Sequence, residues 1–388
     1  MAGSKRLILV VDDNEYNREI LVENLIDLGF ECEEAPDGYE AIVRMKKAPM
    51  PMLVLLDVMM PGIDGFEVCR KLREDPKTRD VPVIMVTAKA MSRDIVQGLQ
   101  AGANDYVTKP IDMEVLLARV ETHLRLKELS DEAKRTGERL LRELAAARAV
   151  QESLLPQAAM LRDLPASYGL SVGALWRPCE MLGGDFWDLV PLADGSLGVL
   201  LIDFAGTGVV PSLYTFRMKA FLHAQCAGVT NAGLVMARLN AELTRMLPEY
   251  ELATCLYGRF DPDRSQFTVC NAGCPPPMVY RAKTGAVERI SVGGVPAGAF
   301  PEASWEEKVV TLAAGDKVVL YTDGLLKEGA GGEEPYSEVR LAELVAQRGN
   351  QLPSQLAATL GQDIDALAPR SVGRDDTTVV FAEVVDFD

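Results

Sequence analysis

Between residues 5 and 125, short apolar runs alternate with amphipathic segments. The apolar runs are Leu7–Val11, Leu53–Leu56, Val81–Val86 and Tyr106–Val107. The helical patterns between them begin near Asn14, Gly38, Gly65, Ser92 and Asp112. Strands that alternate with helices form parallel sheets covered on both faces, so the pattern predicts an α/β, doubly wound domain with a parallel five-stranded sheet.

The segment from Asp112 to Leu155 predicts one long helix, because it contains no proline and only one glycine, Gly137. A heptad-like stripe runs along it with one slipped step at Leu140, through Leu126, Leu129, Ala133, Thr136, Leu140, Leu144, Ala147, Gln151 and Leu154. Charges on the other faces favour a two-stranded coiled coil, and hence a homodimer through this linker helix. The alternative is one amphipathic helix that packs on its own domain. Pro156 ends the pattern.

The chain beyond residue 165 shows strands and helices in separate groups. Its strand-like runs are Leu170–Trp176, Gly198–Asp203, Cys255–Phe260, Phe267–Asn271, Met278–Arg281, Lys317–Tyr321 and Thr377–Val384. Two pairs of helical stretches lie between them, at 212–226 with 232–247 and at 337–347 with 353–367. Such segregation predicts an α+β domain, built as an αββα sandwich of sheets flanked by helices.

The length of 388 residues predicts two or three domains. We expect a first domain at 1–125, a helical coiled-coil linker at 126–156 and a second domain at 157–388. A net charge of −17 argues against nucleic acid or an anionic membrane as a partner, and an Asp-rich chain suits divalent cations. Seven cysteines without a CxxC pair indicate reduced thiols in a cytoplasmic protein. With only two histidines, the chemistry must depend on carboxylates.

Polar side chains follow the strands of the first domain. Asp12 and Asp13 follow the first strand, Asp57 ends the third, Thr87 ends the fourth and Lys109 follows the fifth. Strand ends of a doubly wound sheet converge on one crevice, where this set suits phosphoryl transfer to a carboxylate. We expect Asp57 to be the nucleophile, Lys109 and Thr87 to bind phosphoryl oxygens, and Mg²⁺ to be held by Asp12, Asp13, Asp57 and the Met59 carbonyl. Any one of these elements alone is typical of a solvated loop or a Lys-Pro turn.

The first domain resembles response-regulator receiver domains over residues 5–125. The matching segments are LVVDDNEYNR, LLDVMMPGIDGFEV, PVIMVTA and DYVTKP. The resemblance implies a sensor histidine kinase or a phosphotransfer protein as phosphodonor. It also implies that Thr87 and Tyr106 are the switch residues that couple phosphorylation to a change of surface.

Aspartates stand in four turn contexts of the second domain. They are Asp185 after two glycines, Asp203 before Phe204, Asp323 before a glycine, and the pair Asp375 and Asp376. Oxygen ligands without His or Cys select Mg²⁺ or Mn²⁺, and two such ions can ionise a water for attack on a phosphate ester. Ordinary β-turns are the alternative for any single Asp-Gly pair. Spacing alone does not name the reaction.

The second domain resembles the protein phosphatase 2C-like superfamily, in the branch of sporulation and stress-sigma-regulating phosphatases. The matching segments are QESLLP, GGDFWDLV, LIDFAGTG, NAGCPPPMVY, GGVPAGAF, LYTDGLLKE and GRDDTTVVF. By resemblance, Asp203 bridges two Mn²⁺ or Mg²⁺ ions with help from the Phe204 carbonyl, and Asp185 binds one ion. Asp323 and Asp375 hold the other ion, with Asp376 as the less favoured member of the last pair.

The resemblance implies an enzyme, a metal-dependent phosphoserine and phosphothreonine protein phosphatase controlled by aspartate phosphorylation. Its implied substrate is a phosphorylated STAS-type anti-sigma-factor antagonist in a partner-switching pathway. The sequence departs from the family where Ala205 and Thr207 replace Ser and His, where Cys274 replaces His, and where an acidic residue is displaced to Glu328. These departures keep open a weak or inactive adaptor that binds a regulatory protein without catalysis.

Overall fold

The computed structural model describes residues 6–88, 92–249, 251–327, 336–367 and 375–385. Its contacts divide the chain into two compact units, Met1–Leu140 and Leu141–Asp388. The predicted domain boundaries near residues 125 and 156 stay predictions. None of the described helices has the length and apolar character that crossing a membrane requires.

The first unit contains five strands and the helices that connect them. The strands are β1 (Leu7–Val11), β2 (Glu31–Ala35), β3 (Leu53–Asp57), β4 (Val83–Thr87) and β5 (Asp105–Thr108). The helices are α1 (Glu15–Asp27), α2 (Gly38–Met45), α3 (Gly65–Glu74), α4 (Ser92–Gln100) and α5 (Met113–Glu152). The strands form one parallel sheet in the order β2-β1-β3-β4-β5, which confirms the doubly wound prediction.

Local sequence explains where three helices begin. The side chains of Asn14, Asp37 and Asp64 each accept a hydrogen bond from the backbone N–H three residues ahead, which caps α1, α2 and α3. The apolar runs did not locate β2, because this edge strand reads Glu-Cys-Glu-Glu-Ala and buries only Ala35 fully. β2 lies on one side of β1, and β3 to β5 follow on its other side. The crevice lies at the carboxyl ends of β1 and β3, where the strand order switches sides.

The long linker helix is present as α5, which has 40 residues and crosses from the first unit into the second. Along its middle, Leu126, Leu129 and Leu140 are 55–56% exposed. The coiled coil over that part stays a prediction. At its end, Gln151 is buried and Leu154 packs into the core of the second unit. The predicted stripe was wrong at these two positions, because their side chains pack on their own domain rather than against a partner helix.

The second unit contains ten strands in two five-stranded sheets. The strands are β6 (Leu170–Arg177), β7 (Asp185–Pro191), β8 (Leu197–Phe204), β9 (Ala253–Phe260), β10 (Gln266–Ala272), β11 (Met278–Tyr280), β12 (Val287–Arg289), β13 (Lys308–Thr311), β14 (Lys317–Tyr321) and β15 (Thr377–Val384). The antiparallel orders are β13-β10-β9-β8-β7 and β12-β11-β14-β15-β6. The helices are α6 (Ala158–Tyr168), α7 (Val209–Phe221), α8 (Ala232–Met246), α9 (Glu338–Arg348) and α10 (Pro353–Leu367), with a π-helical turn at Leu222–Cys226 and a 3₁₀ turn at Asp323–Lys327.

Three apolar clusters define the layers of this unit. One lies between the two sheets and joins side chains such as Val199 and Val380. A second lies between the β7–β10 sheet and helices α7 and α8, and a third between the other sheet and helices α9 and α10. The αββα sandwich is therefore confirmed. The hydrophobic pattern missed α6, which contains Pro165, and the strands β7, β12 and β13.

Candidate active sites

The carboxyl ends of β1 and β3 bring three carboxylates together in the first unit. Asp12, Asp13 and Asp57 each place an oxygen within 4.8 Å of the others, with Asp13 exposed and the other two buried. The ammonium of Lys109 lies 2.8 Å from Asp12 Oδ2 and 2.8 Å from Asp57 Oδ2. Three carboxylates and one ammonium leave a formal charge of −2, which matches one divalent cation.

In this crevice Asp57 and Lys109, which carry opposite charges, are in contact with each other. Burial raises the pKa of Asp57, while the hydrogen bond from Lys109 opposes that rise. Burial alone would lower the pKa of Lys109, but its contacts with Asp12 and Asp57 outweigh burial and raise that pKa. The lysine therefore stays charged. The Met59 backbone N–H, two residues beyond Asp57, donates to Asp57 Oδ1 over 3.2 Å.

The two expected switch residues line the same small cavity beside the crevice. Thr87 is buried at the end of β4. Tyr106 is half-buried in β5, pairs in register with Met85, and lies with its ring 5.8 Å from the Arg119 guanidinium carbon. Both side chains are thus close to the carboxyl ends of the strands, where Asp57 lies.

The second unit places Asp185 and Asp203 opposite each other where β7 pairs with β8. Asp185 Oδ2 accepts hydrogen bonds from the hydroxyls of Thr322 and Thr378, at 2.8 and 2.6 Å. Asp185 Oδ1 is buried and has no hydrogen-bond partner among the described residues. A buried carboxylate oxygen without a donor is costly, so it fits a cation as its partner.

The charges of these aspartates act on one another. Burial, and then the charge of Asp203, raises the pKa of Asp185 well above its ordinary value. Burial, followed by the charges of Asp323 and Asp375, raises the pKa of Asp203 to about 8. Carboxylates crowded in this way ionise only with difficulty unless cations neutralise them. The donor set therefore fits divalent metal, with Asp185 and Asp203 as the pair that most needs it.

Asp323 and Asp375 share a lysine. Lys327 Nζ lies 2.8 Å from Asp323 Oδ2 and 2.6 Å from Asp375 Oδ2. Asp323 Oδ1 is buried without a hydrogen-bond partner among the described residues. Among those residues, no three carboxylates of the second unit approach within the 4.8 Å that the first site achieves.

Asp376 has a different environment from its neighbour. Its two carboxylate oxygens accept hydrogen bonds from the backbone N–H groups of Cys179 and Gly184, at 2.8 and 2.5 Å. A side chain at Gly184 would meet the Phe204 carbonyl oxygen at 2.8 Å, so only glycine fits that approach. Asp376 thus holds the glycine loop before Asp185 close to the turn after Asp203. Asp376 is thus engaged by backbone donors, whereas Asp375 contacts Lys327.

The positions that depart from the family lie around these aspartates. The Thr207 hydroxyl is 3.3 Å from a Glu180 carboxylate oxygen. Cys274 is buried with its sulfur 3.5 Å from the Thr254 hydroxyl, and burial raises the pKa of the thiol. Cys274 is therefore a neutral thiol where the family carries a histidine. Glu328 lies outside the described residues.

Gln151 is a site residue that the sequence did not reveal. Its side-chain nitrogen donates to the Gly183 carbonyl over 2.7 Å, and its oxygen accepts from the Gly183 N–H over 3.3 Å. The last turn of α5 is therefore fixed to the loop that leads into Asp185. The sequence placed Gln151 in the heptad stripe and at the start of the family-like segment QESLLP, but neither pattern predicted this contact.

Comparisons with known proteins match a family to each of the two units. Residues 8–121 match the family described as Response regulator receiver domain, and residues 193–385 match Stage II sporulation protein E (SpoIIE). The chain therefore combines a response-regulator receiver domain with a domain of the SpoIIE type. Asp185 and Gln151 both precede the matched SpoIIE range, which begins at residue 193.

Curated relatives match the receiver domain. Response regulator PleD of Caulobacter vibrioides is 49% identical over 125 residues, which are 32% of this chain and 27% of PleD. The phosphate regulon transcriptional regulatory protein PhoB of Escherichia coli is 42% identical over 120 residues, which are 31% of this chain and 52% of PhoB. This chain thus spans about a quarter to a half of the length of these relatives.

A solved structure matches the second unit. The SiaA-PP2C domain of Pseudomonas aeruginosa has a TM-score of 0.55 and 21% sequence identity, covering 65% of this chain and 99% of that domain. At that identity the likeness establishes the fold, which is the PP2C-like fold expected from the sequence.

Proposed function

We propose that phosphorylation of Asp57 controls a Mn²⁺- or Mg²⁺-dependent phosphoserine and phosphothreonine protein phosphatase in the second unit. The observation that carries this proposal is the Asp185–Asp203 pair, in which Asp185 is buried with one unpartnered carboxylate oxygen, in a domain of the SpoIIE family. An uncompensated acidic pair in a PP2C-like fold supports a metal-binding catalytic centre over a purely structural role.

In the receiver, an Asp57 carboxylate oxygen attacks the phosphorus of a phosphohistidine on a histidine kinase or phosphotransfer protein. A P–O bond forms, the P–N bond breaks, and the histidine nitrogen leaves with the bonding electron pair. Lys109, already at Asp57, neutralises a phosphoryl oxygen, and Thr87 donates to another. Asp12, Asp13, Asp57 and the Met59 carbonyl are the proposed Mg²⁺ ligands, and Thr87 and Tyr106 the switch.

In the second unit, Asp185, Asp203, the Phe204 carbonyl, Asp323 and Asp375 are the proposed metal ligands. When bound, the ions supply Lewis acidity and a water of lowered pKa for attack on the phosphate ester. The chain itself fixes the geometry: Thr322 and Thr378 orient Asp185, and Asp376 holds the glycine loop. Water attacks phosphorus, the P–O bond to the serine or threonine oxygen breaks, and that oxygen takes up the proton that the attacking water loses.

The proposed substrate is a phosphorylated STAS-type protein whose dephosphorylation changes its binding partner. The test is a phosphatase assay on the full chain with para-nitrophenyl phosphate and with a phosphoserine peptide, with and without Mn²⁺. Mn²⁺-dependent release of phosphate supports the proposal. Absence of turnover with either substrate, while the receiver still accepts phosphate, contradicts it.

An adaptor that binds a regulatory protein without catalysis is the second candidate function. It is favoured by the buried neutral thiol of Cys274 and by Thr207, which replace the family histidines. Binding of a phosphorylated STAS partner to the Asp57-phosphorylated chain, without loss of its phosphate over hours in Mn²⁺, would identify the adaptor.

A further inference from the structure

Lys327 occupies an unexpected position in the second site. It ends the 3₁₀ turn that begins at Asp323, and its ammonium lies between Asp323 and Asp375 at 2.8 and 2.6 Å. Those two carboxylates come from separate loops. Lys327 itself lies 48 residues before Asp375 in the chain. The lysine therefore joins the two loops that are proposed to hold one of the two metal ions.

The formal charge of the second site falls short of what two divalent cations require. The four aspartates proposed to hold both ions carry −4, and Lys327 reduces this to −3, one short of the +4 of two ions. Among the described ion pairs, Lys327 contacts Asp323 and Asp375 and not Asp185 or Asp203, although its charge also acts on Asp203. The Asp185–Asp203 half is thus left in need of a cation, while the Asp323–Asp375 half already has one.

We propose that Lys327 is the resident cation of the Asp323–Asp375 pair. This inference rests on the proposed metal-dependent function. One divalent ion binds tightly on the Asp185–Asp203 side, and a second ion enters only after Lys327 leaves its two carboxylates. The lysine competes with metal rather than blocking it, because Lys327, Asp323 and Asp375 remain 47%, 41% and 23% exposed. Water screens the ion pairs at this exposure, so displacement is within reach of free metal.

Removing the lysine charge should strengthen binding of the second ion. Lys327→Gln leaves two facing carboxylates with a charge of −2, and we expect the second Mn²⁺ to bind roughly tenfold more tightly, as for loss of one partly screened ion pair. Lys327→Arg keeps the positive charge and should resemble the unmodified chain. Lys283→Gln removes an exposed lysine elsewhere in the second unit and is the matched control.

The experiment is a Mn²⁺ titration of the full chain, in which binding is measured by calorimetry and by electron paramagnetic resonance. All variants carry Asp12→Asn and Asp13→Asn, so that the receiver does not bind metal. The expected result is one tight Mn²⁺ per chain with Lys327, Lys327→Arg or Lys283→Gln. Lys327→Gln should bind two ions and show spin coupling between neighbouring Mn²⁺.

The other outcomes separate this inference from the proposed function. Two equally tight ions in the unmodified chain and in Lys327→Gln would overturn the role of Lys327 while leaving a metal-dependent phosphatase in place. Lack of Mn²⁺ binding by every variant would overturn both. A second ion gained by Lys327→Gln, without phosphatase turnover in any variant, would support the inference and contradict the enzyme.

Discussion

Both acidic sites of this response regulator contain a lysine that bridges two aspartates, yet the two lysines meet different charge balances. Lys109 contacts Asp12 and Asp57, and Asp13 supplies a third carboxylate, so a charge of −2 remains for Mg²⁺. Lys327 contacts two of the four aspartates proposed to hold two ions and leaves −3, one short of the +4 of two divalent ions. By our proposals, the same lysine–carboxylate pairing accompanies a metal in the first site and competes with one in the second.

The sites also differ in how the fold assembles them. The receiver carboxylates follow parallel strands whose ends meet at one edge, and they close to within 4.8 Å. The second site uses antiparallel pairing of Asp185 with Asp203, together with loops from distant parts of the chain. Closure of the second site therefore depends on contacts between loops as well as on the sheet.

The largest expected effect concerns the receiver side of this comparison. Asp57→Asn should abolish labelling by acetyl phosphate in Mg²⁺, because an amide of the same size cannot act as the nucleophile. Phosphate-affinity electrophoresis or intact-mass spectrometry measures the label. Exposed Asp80→Asn is the control and should label normally. Labelling that survives in Asp57→Asn would mean that another residue accepts the phosphoryl group.

On the phosphatase side, Asp203→Asn should lower Mn²⁺-dependent turnover by at least about 100-fold, the scale seen when one electrostatic contact to a transition state is removed. Side-chain volume is kept, so the fold and receiver labelling should persist. Exposed Asp163→Asn controls for loss of a negative charge. Full turnover in Asp203→Asn would contradict its proposed role as the bridging ligand.

The link between α5 and the second site is tested by Gln151→Ala. The change leaves the buried Gly183 N–H and carbonyl without their partner, so we expect a loss of about 1–3 kcal/mol in the free energy of unfolding of the second unit. Phosphatase turnover should fall as well, since the same loop leads into Asp185. Thermal unfolding and the phosphatase assay measure the two effects, with exposed Gln347→Ala as control. Unchanged values in both would show that this contact does not position the loop.

The smallest expected effect tests whether the exposed middle of α5 pairs with a second chain. Leu129→Ser should weaken dimerisation roughly tenfold by removing buried apolar area from the predicted coil. Leu141 is similarly exposed but lies off the stripe, so Leu141→Ser is the matched control. Light scattering with and without beryllofluoride reports the association. A chain that is monomeric in both states, with phosphatase activity still responsive to beryllofluoride, would exclude the coil as the route between the sites.

The receiver site could be predicted from sequence because its evidence is local. Asp12, Asp57 and Thr87 each end or follow a buried apolar strand, and parallel strands bring such ends together without further information. The strand β2 was not predicted, because an edge strand can be almost entirely polar. The missing strand did not affect the site, since β2 contributes none of its residues.

The second site could be predicted only as a set of aspartates. The hydrogen bond from Cys179 to Asp376 joins residues 197 positions apart, so no local pattern could separate the roles of Asp375 and Asp376. Lys327 reads as an ordinary charged residue after a turn until Asp375 is placed beside it. Gln151 likewise fits a heptad pattern, and its actual partner is a backbone loop that the pattern does not encode.

The uninterrupted course of α5 has a consequence for insertions and deletions between the domains. Each residue added to an α-helix turns everything that follows by about 100° and moves it by about 1.5 Å. The contact of Gln151 with Gly183 lies in the last turn of α5, so it is kept when residues are added in the exposed stretch before it. Seven added residues nearly restore the helical phase, with an error of about 20°, whereas two turn it to the opposite side. Functional relatives and fusion proteins should therefore differ in linker length mainly by whole heptads.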